Sequence, residues 1–228
     1  MFAGHSKEPH GRTPKLSDKR KERRAMNDNL IISISREYGS GGREIGETLA
    51  STLGIAYYDK ELINRIVQKC GFPDDVVEAH DEKVLNRFLF TPNRFLTGAD
   101  LDQPIASAIH AAEIDSIRSA ADEGPCVIVG RSADSILSAY PGLISIYVSA
   151  PMENRIARVM RRNNLSESEA KARIARIDKD RAHYYRYFTD KKWGEAANYD
   201  LCVNSGKLTA DDAVAVIRAY IDRIRPAL

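Results

Sequence analysis

Apolar residues along the chain gather into five short, nearly unbroken runs: Leu30–Ser35, Ile55–Tyr58, Cys126–Val129, Leu143–Val148 and Leu201–Val203. Aliphatic runs of this length suit strands covered on both faces, as in a parallel sheet. Between them the spacing becomes helical. Glu44–Leu53 follows the first run and Lys60–Cys70 the second, with Asp59 placed as an N-cap. Ser166-Glu167-Ser168-Glu169 reads as a capping box opening a long helix. Thr209 caps the last helix, where Ala213, Val216, Ile217, Tyr220, Ile221 and Ile224 recur at i, i+3, i+4. Strand–helix alternation predicts a three-layer α/β sandwich with right-handed crossovers.

Length and composition narrow this. With 228 residues, 43% apolar and 29% charged, the chain is expected to form one domain with a full core. No run approaches the ~20 apolar residues of a membrane span, and no secretory signal is recognised, so a cytoplasmic location is expected. Cys70, Cys126 and Cys202 are too widely spaced for a disulfide framework or a CxxC zinc motif. Cys126 and Cys202, inside apolar runs, are expected as small core residues. Residues 1–28 carry eight Lys/Arg against four Asp/Glu and almost no aliphatic side chains, which reads as a disordered basic tail ahead of a domain over 29–228.

In parallel sheets, chemistry lies beyond the carboxyl ends of the strands. The first strand runs into Arg36-Glu37-Tyr38-Gly39-Ser40-Gly41-Gly42-Arg43-Glu44. Glycines between a strand and a helix let backbone amides point at phosphate oxygens, helped by the helix N-terminus. The loop is not a regular GxxxxGK followed by Ser or Thr. If Gly42-Arg43 stands for the Gly-Lys pair, the first glycine position is Glu37 and the hydroxyl position Glu44; if Gly41 is the last loop glycine, the lysine position is Gly42. A dinucleotide reading competes, since Gly39 and Gly41 form a GxG and Asp59 lies where a ribose-binding carboxylate belongs, yet the third glycine position holds Glu44. Cations decide between the two. Gly130-Arg131 follows the third strand directly. After the fourth come Arg155, Arg158, Arg161, Arg162, Arg173, Arg176 and Arg181. Arginine offers a planar fork for phosphate and stays charged when desolvated. An Arg-rich helical segment in this place reads as a lid over polyphosphate, which phosphoryl transfer needs and hydride transfer does not.

The loop, with Tyr57-Tyr58-Asp59-Lys60-Glu61-Leu62-Ile63, Gly130-Arg131, Arg176-x-Asp178-x-Asp180-Arg181, Lys192-Trp193-Gly194 and Tyr199–Asn204, resembles the cytidylate kinase-like family over about 30–225. That resemblance implies a P-loop-type fold with a five-stranded parallel sheet, an acceptor-binding insert (about 72–110) and an Arg-rich lid (about 151–190). It implies that Gly39, Ser40, Gly41, Gly42, Arg43 and Glu44 bind ATP, that Asp59, Arg65, Arg131, Asp178 and Arg181 bind the acceptor, and that Arg43, Arg176 and Arg181 are catalytic. Ser205 and Gly206 would border the donor base.

The expected activity is transfer of a phosphoryl group from ATP, with Mg²⁺, to a nucleoside monophosphate, CMP or dCMP by resemblance. No protein ligand for the metal is assigned. Small-molecule nucleotides are the expected partners; a membrane or nucleic acid is not. A nucleotide-binding regulatory module without turnover is the alternative, followed by an NAD(P)-linked oxidoreductase. Arg43 is expected to stand in for the missing lysine. Tyr184, Tyr185, Tyr187 and Trp193 are expected to pack a lid hinge, and His183 is the one histidine placed beside a motif. If residues 1–28 take no part in the fold, deleting them leaves melting temperature and nucleotide turnover unchanged, which thermal unfolding and an ADP-release assay will check.

Overall fold

The computed structural model describes residues 30–59, 62, 65 and 102–225. Five strands form one sheet: β1 (Ile31–Arg36), β2 (Ala56–Tyr58), β3 (Cys126–Val129), β4 (Leu143–Ser149) and β5 (Leu201–Asn204). All pairings are parallel, in the order β2-β3-β1-β4-β5. β3 therefore lies between β1 and β2, unlike the dinucleotide-binding order in which β2 adjoins β1. That arrangement removes the oxidoreductase alternative.

Alternation along the strands sorts the core into two layers. Ile32 and Ile34 of β1, and Ile144, Ile146 and Val148 of β4, face helices α1 (Gly42–Leu53) and α6 (Ala210–Ile224). Ile45, Leu49, Ala213, Ile217 and Ile221 answer them. On the other face, Ile31, Cys126 and Ile128 pack against α2 (Asp102–Asp122) and α3 (Ala133–Ile136) through Ile117, Ala120, Ala121, Ala133 and Leu137. This second face turns polar from mid-strand, where buried Ser33 and Ser145 lie in register, to Ser35 near the carboxyl end of β1. The first face glues the domain. The second becomes the floor of a cleft.

Two further helices follow β4: α4 (Met152–Asn163) and α5 (Glu167–Thr189). Ile156 and Val159 of α4 pack on Ala170 and Ile174 of α5. Both capping boxes form, Ser166 with Glu169 and Thr209 with Asp212.

Several expectations are adjusted. The helix over Lys60–Cys70 lies outside the described residues apart from Leu62 and Arg65. The tail and most of the insert lie outside them as well, although 102–110, assigned to the insert, begin α2. Cys126 is buried as expected, but Cys202 is exposed, because β5 is an edge strand covered only on its Val203 side. Ile34 is fully buried between the central strand and α1. Ile34→Ala should cost about 2–5 kcal/mol of stability, read as a lower urea midpoint at unchanged slope.

Candidate active site

The turn after β1 is fixed by side chains from β4's end and the two helices beyond it. Glu37 accepts a hydrogen bond from Ala150 N–H at 2.9 Å and pairs with Arg155 at 3.2 Å. Tyr38 N–H donates to Asp178 at 2.8 Å, while Arg155 Nε donates to Tyr38 C=O at 2.9 Å. Arg155 also bonds the Asp178 carboxylate. Arg158 donates to Ser40 C=O at 2.9 Å and to Ser205 C=O at 3.1 Å, and Ser205 Oγ donates to Ser40 C=O at 2.5 Å. These bonds take the loop's carbonyls on one side. The first amides of α1, which have no acceptor inside the helix, remain for a ligand on the other. Gly39 must be glycine here: its φ is +83°, and a Cβ would sit 3.0 Å from Arg155 C=O.

Across from the loop lies a cleft lined by Ser35, Arg36, Arg131, Arg181, Tyr184 and Trp193. Arg131 enters it from a turn in which Gly130, Arg131 and Ser132 all have positive φ, at 84°, 62° and 50°. Such values in non-glycine residues cost of order 1–3 kcal/mol each and persist only where the surroundings impose them. The buried carboxylate of Glu113 lies 3.7 Å from Arg131 and also accepts from Tyr184 Oη. His110 adjoins the same carboxylate at 3.4 Å and stacks on Phe188 at 3.6 Å. Arg181 comes from α5, donates to Arg36 C=O at 2.9 Å and lies over the Tyr38 ring at 5.7 Å. Burial lowers the pKa of Arg36, Arg131 and Arg181 alike; for Arg36 and Arg181 the neighbouring guanidinium groups add to it. A guanidinium keeps its proton at neutral pH, so the lowering records charge held out of water, joined at Arg36 and Arg181 by like-charge repulsion, and an anion bound among them would relieve both.

The residues expected from sequence divide into groups. Arg131 and Arg181 meet in the cleft, and Gly39–Glu44 form the loop and helix start beside it. Arg43 Nε is engaged by Asp59 at 2.5 Å, so at least part of its charge serves the end of β2. Asp178 holds the loop through Tyr38 and Arg155. Arg176 is exposed. Five residues separate it from Arg181, about 140° around a helix, so α5 cannot turn both inward. Arg65 pairs with Glu123 at 2.6 Å, next to the amino end of β3 and away from the cleft. His183 is exposed. Tyr184 and Tyr185 are buried and Trp193 packs edge-on against Tyr147 at 5.6 Å, whereas Tyr187 is 68% exposed.

Sequence reading passed over Arg36, Glu37, Glu113 and the loop-holding roles of Arg155 and Arg158. The first two had a signal: charged residues at the end of an aliphatic strand, where this architecture places chemistry.

Comparison with known proteins agrees with this geometry. The model of the cytidylate kinase-like family matches residues 31–207. The chain belongs to that family. It is 26% identical over 199 residues to a cytidylate kinase of Pyrococcus horikoshii, covering 87% of this chain and 92% of the relative. Among solved structures, an uncharacterized protein from Eubacterium ventriosum is 30% identical, with a TM-score of 0.63 over 85% of this chain and 98% of its own. A shikimate kinase from Acinetobacter baumannii in complex with shikimate is 16% identical, with a TM-score of 0.53 over 90% of this chain and 99% of its own, and shares the fold. The chain is thus a cytidylate kinase-like phosphotransferase with a P-loop fold.

Two members of one lid motif should behave differently. Asp178→Ala deprives Tyr38 N–H of its acceptor and Arg155 of one of its two carboxylate partners, and should cost roughly 1.5–3 kcal/mol. Arg176→Ala should stay within about 0.5 kcal/mol of wild type. Urea unfolding of both variants checks this.

Proposed function

We propose that the protein transfers the γ-phosphoryl group of ATP to a nucleoside monophosphate, with CMP or dCMP as the acceptor. The observation that carries this is the pairing of Arg131 and Arg181, desolvated at the carboxyl edge of the sheet, with a glycine loop whose amides open α1. Two phosphate-binding devices side by side suit two phosphorylated substrates. Similarity to a named cytidylate kinase supports the choice of CMP.

In this reading the amides of Gly41–Glu44 hold the donor phosphates and Arg131 holds the acceptor phosphate. Arg181, which shares the cleft with Arg131, offsets charge on the transferring group. An acceptor phosphate oxygen attacks the γ-phosphorus in line as the bond to the β-phosphate oxygen breaks, giving ADP and a nucleoside diphosphate. A phosphate monoester is largely dianionic at pH 7, so no general base is required. Asp59, paired with Arg43, is assigned to the acceptor side, and Asp178 acts by holding Tyr38. Arg176 is assigned no step.

Magnesium arrives bound to ATP as part of the co-substrate. Ser40, the loop's hydroxyl, is buried and donates to Glu37 C=O at 2.9 Å, so it is not directed at a metal. Among the described residues no cluster of three His, Cys, Asp or Glu could hold one. These residues do not fit a protein-held ion, and no step is drawn through it.

Coupled ADP release over CMP, dCMP, UMP, AMP and GMP tests the reading. CMP and dCMP should give the highest kcat/KM. Absence of turnover with every acceptor would replace the kinase with a binding module. Within the active protein, Arg181→Ala should lower kcat at least ~10²-fold with little change in melting temperature. Arg131→Ala should chiefly raise the acceptor KM.

A further inference from the structure

The loop has no lysine, yet a residue nothing so far has assigned occupies the lysine's ground. Taking Gly41 as the last glycine of a GxxxxGK pattern puts Arg36 at the first glycine position and Gly42 at the lysine position. Relative to the ordinary order, arginine and glycine have changed places. The structure shows these two positions face to face. A Cβ built on Gly42 would lie 2.6 Å from Cβ of Arg36 and 3.0 Å from its Cγ. Real Cβ atoms do not approach so closely, so the Arg36 stem fills the volume into which a side chain at 42 would grow.

Its far end lies against a second glycine. A Cβ on Gly130 would run into Arg36 Nη1, so the glycine leaves room for the guanidinium; that flexible end could still yield, and the tighter fit is the stem against Gly42. The guanidinium lines the cleft together with Arg131 and Arg181. Among the described residues no carboxylate comes within ion-pairing distance of it; Asp59 acts on it from further away, and Arg43 and Arg131 oppose its charge. A structural arginine at a strand end would be expected to have an acidic partner. This one has its stem seated against Gly42 and its guanidinium in a cleft shared with other cations.

The geometry points to Arg36 as the donor-phosphate cation of this protein, replacing the loop lysine from the opposite side of the α1 N-terminus. A planar fork can bridge two phosphate oxygens where an ammonium supplies a point charge. The inference rests on the kinase reading for the identity of the donor, but its core, a triphosphate held by Arg36, does not depend on turnover.

Calorimetric titration of the full chain with tripolyphosphate, and with ATP, tests it. Arg36→Met keeps an apolar stem over Gly42 and removes the charge; tripolyphosphate affinity should fall at least about tenfold. The double variant Arg36→Gly/Gly42→Lys restores the ordinary order of the loop and should recover most of that loss. Gly42→Lys alone meets the Arg36 stem and should bind worse than wild type. Wild-type affinity in a folded Arg36→Met chain overturns the proposal. If Arg36→Met does not fold, the double variant decides. Folded and binding, it supports the exchange; folded without binding, or unfolded, it refutes it, because the two positions must be interchangeable. Arg36-dependent tripolyphosphate binding without ADP release would retire the kinase reading alone. Turnover on CMP with Arg36-independent binding would retire this one alone.

Discussion

Three guanidinium groups crowd the carboxyl edge of the sheet, and the surrounding structure is arranged to keep them there. Like charges in a partly dry cleft repel, and mobile side chains would swing out to water. Each is prevented by a different device. Arg131 is carried by three successive left-handed residues and backed by buried Glu113. Arg181 is tied to Arg36 C=O and laid on Tyr38. Arg36 has its stem seated in the space that Gly42 leaves beside it. The cost of holding charge before the ligand arrives is what preorganisation means for phosphoryl transfer, where little covalent chemistry falls to the protein.

The same view changes the meaning of the lid. An Arg-rich pair of helices after β4 suggests an arm closing over phosphates. Yet Arg155 and Arg158 of α4 are spent on the loop's own carbonyls, and Asp178 of α5 on its Tyr38 amide. Loop conformation and helix position are therefore one unit. Shifting α4 and α5 would break at least four charged hydrogen bonds at the turn after β1. Glu37 belongs to this unit as well, joining the turn to both Ala150 and Arg155.

The strands and caps were legible because their signals are local. Aliphatic runs marked all five strands within about one residue at each end, and both capping boxes were spelled out. The helix α2 was missed because its buried face, Ile117, Ala120 and Ala121, is built largely from alanine, whose apolar signal is weak. The arginines misled for the opposite reason. Composition showed that many guanidinium groups lie after β4, but whether each meets a ligand, a carbonyl or solvent depends on its angle around a helix. Arg181 and Arg176 share a motif and not a face. Arg65 is resolved only by tertiary pairing with Glu123, which no spacing rule supplies.

Placing the donor cation on the strand instead of the helix has a consequence for how the two substrates meet. A lysine on the first turn of α1 would extend from the loop, with its charge set by the loop's position. Arg36 extends from β1, the central strand, whose neighbours are β3 and β4. β3 carries Arg131 at its end, and the Arg36 carbonyl holds Arg181. One residue thus contributes its side chain to the cleft and its backbone to the lid arginine. In the proposed mechanism, donor charge, acceptor charge and the catalytic arginine are all referenced to a single point on the central strand of the sheet. In-line transfer demands that kind of shared reference, because misplacing one phosphate by about an ångström costs orders of magnitude in rate.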